Sequence, residues 1–138
     1  MKSKLFASVY LVVVVLTGCS AHNPFIVGDT TDVIQLSSIK YAPHSNRVYV
    51  TSASLPATVH YEVLGRLEVG TVWYGSSGNV LESLADGARE LGADAVVEVK
   101  TWHQPAGWSW AAPHGSGTAV RIVEPARVDF SGLGGDWK

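Results

Sequence analysis

A chain of 138 residues holds one domain of ordinary size and is too short for two independent cores. Twelve acidic residues against ten basic ones leave a formal charge of -2, so no basic excess exists to hold a phosphate backbone, and nucleic acid is excluded as a partner class. With 46% apolar and 16% charged residues the composition is globular rather than disordered.

The first element is an address. Lys2 and Lys4 precede an apolar run from Leu5 to Leu16 (LFASVYLVVVVL). As a helix this run covers about 18 Å, short of the roughly 30 Å hydrocarbon core, so it reads as a secretory h-region rather than a span. It ends at Leu16-Thr17-Gly18-Cys19, which resembles the lipobox of bacterial lipoproteins, where the signal peptidase cuts before a cysteine that carries lipid. Cys19 is the only cysteine, so no disulfide framework can form within the chain. Cleavage before Cys19 removes two of the ten basic residues and no acid, leaving 8 against 12 and a net charge of -4. Ser20 follows Cys19 where an aspartate would, by resemblance, retain an enteric-type lipoprotein in the inner membrane. The expectation is a lipid anchor in the outer membrane, facing the periplasm.

Residues 19–46 read as a tether with one short strand near Val33 to Leu36, interrupted by turn formers such as Asn23-Pro24 and Gly28-Asp29. Arg47 to Thr51 is β-branched or aromatic at most positions and predicts a strand. From Val59 to Val69 the chain alternates: Val59, Tyr61, Val63, Leu67 and Val69 share one face, and His60, Glu62, Arg66 and Glu68 the other. Leu64 breaks this alternation, and Gly65 predicts a bulge or a close approach. After a small-residue loop carrying Trp73 and Tyr74, Asn79 with Glu82 resembles a capping box and predicts a helix from Val80. Its apolar stripe is Val80, Leu81, Leu84, Ala85, Ala88 and Leu91, with Gly92 as a left-handed stop and Gly87 packed closely on a sheet.

Ala95 to Thr101 predicts a strand with Ala95, Val97 and Val99 inward, and Thr118 to Val123 another. Strand, helix and strand set 59–69 and 95–101 parallel, and the last strand returns antiparallel. The fold class is α+β, a small mixed sheet with one main helix packed on one face, in the order β-β-α-β-β. Residues 124–138, with Gly132, Gly134 and Gly135, read as a flexible tail.

Three pieces together point to a family. Tyr61-Glu62-Val63-Leu64-Gly65, Leu91-Gly92-Ala93-Asp94-Ala95-Val96-Val97 and Gly117-Thr118-Ala119-Val120-Arg121-Ile122 resemble YbjQ-like domains, also called heavy-metal-binding domains. The Rcs stress-sensing outer-membrane lipoprotein has a related fold. The resemblance covers residues 47–123 and implies an α+β domain; some such families form rings, so it implies self-association as an option. The chain has neither the cysteines of the Rcs lipoprotein nor a second thiolate for a soft metal.

Residues 102–116 (WHQPAGWSWAAPHGS) read as a long loop with three tryptophans, Trp102, Trp108 and Trp110. Two readings stay open: a surface that recognises an envelope protein partner, or aromatic cover for a sheet edge or small core. His60, His103 and His114 suit zinc or copper if they converge, although no HxH or HxxxH spacing links them. No serine stands in a G-x-S-x-G elbow, Gly-Ser-Gly at 115–117 precedes a strand rather than a helix, and Glu62, Glu68 and Glu98 are expected on solvent-facing strand positions. The function expected is therefore non-catalytic binding or stress sensing at the envelope without a cofactor. Histidine-based metal binding is the alternative, and an envelope hydrolase comes third.

Overall fold

The computed structural model describes residues 29–138; the signal peptide expected over residues 1–18 and the lipidation expected at Cys19 fall outside the described residues. The elements are β1 (Thr30–Gln35), β2 (Tyr49–Val50), β3 (Tyr61–Gly70), α1 (Ser77–Leu91), β4 (Ala95–Ala106), β5 (Ser109–Ile122), two 3-10 turns (Pro125–Arg127 and Phe130–Leu133) and β6 (Asp136–Trp137). The strands form one mixed sheet in the order β1-β3-β5-β4-β2-β6, with α1 packed on one face. Both β3 and β4 run antiparallel to β5, so they are parallel to each other, joined by α1 across the intervening strand. This is the α+β architecture the sequence predicts.

Its register shifts at three places, two of which re-aim core side chains. The β3–β5 pairing shifts between Val63 and Gly65, so Leu64 joins Leu67 and Val69 beneath α1, while Tyr61 and Val63 lie across from Ile122 and Val120 on the opposite face. The expected single apolar face of 59–69 is thus split between two faces. Gly65 is the residue that permits this: a Cβ there would meet the Ile34 carbonyl oxygen at 2.8 Å. The second shift falls between Val97 and Lys100, where Glu98 has φ 55°. Val96 and Val99 consequently face α1, and Ala95 and Val97 face away from it, so β4 is buried on both sides rather than inward only at 95, 97 and 99.

The predicted helical stripe packs as expected, with Val80, Leu84, Ala85 and Ala88 buried. The helix starts earlier than predicted, after Ser76, and no side chain caps it, so the Asn79–Glu82 box does not form. Gly92 is the left-handed C-cap, its N–H bonded to the Ala88 and Arg89 carbonyls. At Gly87 a Cβ would meet Leu67 Cδ2 at 3.2 Å, the close helix–sheet approach the glycine predicts.

The segment read as a flexible tail is built into the second face. Val128, Phe130 and Leu133 pack on Tyr49, Leu55, Ala95, Val97, Val120 and Ile122. β6 adds an antiparallel strand to β2, and Val48 and Lys138 exchange backbone hydrogen bonds at 2.9 Å. Within the region read as a tether, Thr30–Gln35 pairs with β3 as an edge strand, close to the strand predicted there.

Candidate functional site

The segment 102–116 is not a loop. It is the distal part of a long β4–β5 hairpin, closed at Gly107-Trp108 with Ala106 opposite Ser109. Gly107 has φ 54° and Trp108 does not have a positive φ, the pattern of a II′ turn, which matches strand twist. Two prolines hid the hairpin in the sequence. Pro105 falls at a register shift between Gln104 and Ala106, where a ladder bond is already missing. Pro113 accepts from Thr71 N–H and Thr71 Oγ1 through its carbonyl, so its missing N–H faces the side where the β3 ladder has just ended at Gly70.

The hairpin end curls onto residues 71–75. A Cβ on Gly107 would meet Val72 Cβ at 2.8 Å, and one on Gly75 would touch Pro113 Cγ at 3.5 Å. Val72, Ser109, Ala112 and Pro113 are buried in this contact. The aromatic side chains around it are not: Trp108 is 73% exposed, Trp110 82%, Trp73 59% and Tyr74 63%. Such exposure of four large aromatics at one end of a small domain departs strongly from the burial these residues usually find. Trp73 and Tyr74 escaped the sequence reading of the site. The signal that finds them is electrostatic, since residues 69–81 and 101–120 contain no Asp, Glu, Lys or Arg.

Trp102, expected in the same surface, lies lower on the hairpin opposite His114. Their rings stack with centroids 6.0 Å apart, and Trp102 Nε1 donates to Gln104 Oε1 at 2.9 Å. It therefore belongs to a side-chain network on the strands rather than to the curled tip.

The three histidines do not converge. His114 pairs across from Trp102 and His103 from Pro113, so adjacent positions send them to opposite faces of the hairpin. His60 precedes the other end of β3, ten residue steps from Gly70, a distance of about 33 Å. Among the described residues no group of three His, Cys, Asp or Glu side chains is placed to hold a metal ion. The histidine set expected as metal ligands is corrected accordingly.

Two polar clusters lie elsewhere on the domain. An open groove of about 370 Å³ is lined by Ser52, Ser54, Arg66, Glu98, Lys100 and Thr118. Ser54 Oγ donates to Glu98 Oε1 at 2.8 Å, but no histidine lines the groove to relay a proton from a serine. At the end of the sheet away from the hairpin tip, Glu62 accepts from Ser37 Oγ and from Tyr41 Oη at 2.7 Å. These two hydrogen bonds, Ser37 first, hold the Glu62 carboxyl below its ordinary range, and the bond to Glu62 raises Tyr41. Arg121 lies 4.3 Å over the Tyr41 ring and donates to the Gly92 carbonyl at 2.8 Å. Asp94 Oδ2 accepts from Ile122 N–H at 2.9 Å, so the aspartate of the Leu91–Val97 motif ties down β5 rather than its own turn. Every group in this second cluster is used in joining elements.

No family model matches the chain, and neither a curated protein nor a solved structure matches it.

Proposed function

We propose that this chain is a lipid-anchored protein of the cell envelope, held at the outer membrane and facing the periplasm, that works by binding or sensing rather than by catalysis. The YbjQ-like resemblance of residues 47–123 belongs to the same proposal, with the aromatic tip as its recognition surface. The observation that carries the reading is the exposure of Trp108 and Trp110 on a hairpin end whose own backbone is packed and ordered by Val72, Ala112 and Pro113. Exposed tryptophans on a packed turn supply large contact area for docking. The lipobox-like Leu16-Thr17-Gly18-Cys19 supports the anchor, and among the described residues no helix is long and apolar enough to cross a membrane.

Crosslinking and recovery of the full chain from envelope membranes tests the proposal. Replacing Trp108 and Trp110 together by Ala is expected to leave stability within about 1 kcal/mol while abolishing the tip's crosslinks. Loss of several kcal/mol instead would assign both side chains to the core.

A further inference from the structure

We infer that the aromatic tip is a second membrane contact, seating Trp73, Tyr74, Trp108 and Trp110 in the interface of an electrically neutral bilayer. The inference rests on the tip being a recognition surface and names what it recognises. Three observations converge on lipid. First, the exposed side chains are tryptophans and a tyrosine, whose amphipathic rings favour the headgroup level of a bilayer. Second, the two segments that build this end, 69–81 and 101–120, hold no Asp, Glu, Lys or Arg, and Asp29 beside them already accepts from Val72 N–H, so little charge must be desolvated there. The opposite end of the sheet, with Glu62, Asp94, Arg121, Glu124 and Arg127, could not enter an interface without that cost. Lacking basic residues, the tip has no electrostatic attraction to anionic lipid, which commits the proposal to zwitterionic headgroups.

Third, the chain enters the fold at this same end. Thr30 pairs with Gly70, Gly70 pairs with His114, and Asp29 Oδ1 accepts from Val72 N–H at 3.1 Å on the very loop that the hairpin packs against. Ten residue steps separate Asp29 from Cys19, a span of at most about 35 Å. An anchor at Cys19 therefore holds the uncharged aromatic end within about 35 Å of its attachment point, a bound that the charged end, further along the sheet, does not share. One lipid attachment combined with a second weak contact converts a tethered, freely turning domain into one of fixed orientation.

The test uses the full chain, purified from membranes and reconstituted into phosphatidylcholine vesicles with or without acyl-chain-brominated phosphatidylcholine, with tryptophan fluorescence as the readout. Quenching by the brominated lipid is expected. It is lost for the most part in Trp108→Ser/Trp110→Ser, which remains vesicle-bound through its N-terminal attachment, and retained in Trp137→Phe, whose site lies on β6. Circular dichroism establishes that each variant is folded. Absence of quenching in the parent chain, or quenching that survives in the double variant, overturns the inference. If quenching is absent while the double variant still loses its envelope crosslinks, the tip recognises a protein or glycan and the binding-module reading stands alone. If quenching and crosslinks are both indifferent to the double variant, both readings fall.

Discussion

Gly107 at the hairpin turn lies against Val72 so closely that a Cβ on it would stand 2.8 Å from Val72 Cβ, in a backbone conformation of φ 54°. The contact makes one body of two segments that are remote in sequence, and both the conformation and the space demand glycine. Gly107→Ala is therefore expected to cost about 1–3 kcal/mol in chemical denaturation. Gly75→Ala, whose Cβ would meet Pro113 at an ordinary 3.5 Å, should stay within about 0.5 kcal/mol. Equal effects at the two positions would mean that the hairpin end does not pack on residues 71–75.

The helix face offers a sharper contrast. Leu84 is fully buried between α1 and the sheet, whereas Glu90 is exposed on the same helix. Leu84→Asp should cost more than about 3 kcal/mol, enough to unfold a domain of ordinary stability, because it places an unpaired carboxylate in the core. Glu90→Ala should change the midpoint by less than about 0.5 kcal/mol. Thermal melts of both variants check the pair.

Acid should loosen the Ser37–Tyr41 stretch before it unfolds the core. The Glu62 carboxyl is held below its ordinary value of 4.5 by hydrogen bonds that its ionised form accepts from Ser37 and Tyr41. A carboxyl whose pKa is lower folded than unfolded stabilises the fold fully above the unfolded value, and that contribution fades as pH falls through the folded value. The protection of the Ile39 amide, whose N–H is bonded to Ser37 Oγ, measured against its intrinsic exchange rate at each pH, should fall below pH 4.5 in the parent chain. In Glu62→Gln this protection should already be low at neutral pH and lose its pH dependence. An unchanged profile in the variant would remove Glu62 from the latch.

What the sequence reveals and what it hides follow from range. The helical stripe from Val80 to Leu91, its stop at Gly92 and the bulge glycine at 65 are local signals, and the structure keeps them. The two phase changes are only half legible: Leu64 marks the first as an exception, but nothing local in Ala95–Thr101 marks the twist at Glu98, which depends on pairing with Thr51 and Ala53. Pro105 and Pro113 sit inside the hairpin because one falls at a register shift and the other where a neighbouring strand stops, neither of which is a local signal. At the site, Trp108 and Trp110 are visible from composition alone. That Trp73 and Tyr74 join them, that Trp102 does not, and that the three histidines stay apart are consequences of strand register, which a linear reading does not contain.

The last element of the fold carries its own test. Tyr49 is buried on the face away from α1; its hydroxyl donates to the Phe130 carbonyl and accepts from Gly135 N–H, each at 2.7 Å. Its ring meets Phe130 at 4.8 Å and Trp137 at 5.2 Å between centroids, so one side chain holds both the 3-10 turn and β6. Tyr49→Phe keeps the aromatic packing and removes only the hydroxyl, leaving one acceptor and one donor short of a partner. The expected cost is about 1–2 kcal/mol. Because Lys138 N–H bonds to the Val48 carbonyl just beyond this point, exchange at Gly135 and Lys138 should rise while exchange in α1 stays unchanged. If exchange rose equally in α1, the closing segment and the helix would belong to one cooperative unit. If neither amide responded, the residues after Val123 would be held by the aromatic cluster of Tyr49, Phe130 and Trp137 without help from the hydroxyl, and Tyr49→Ala would then be the variant that releases them.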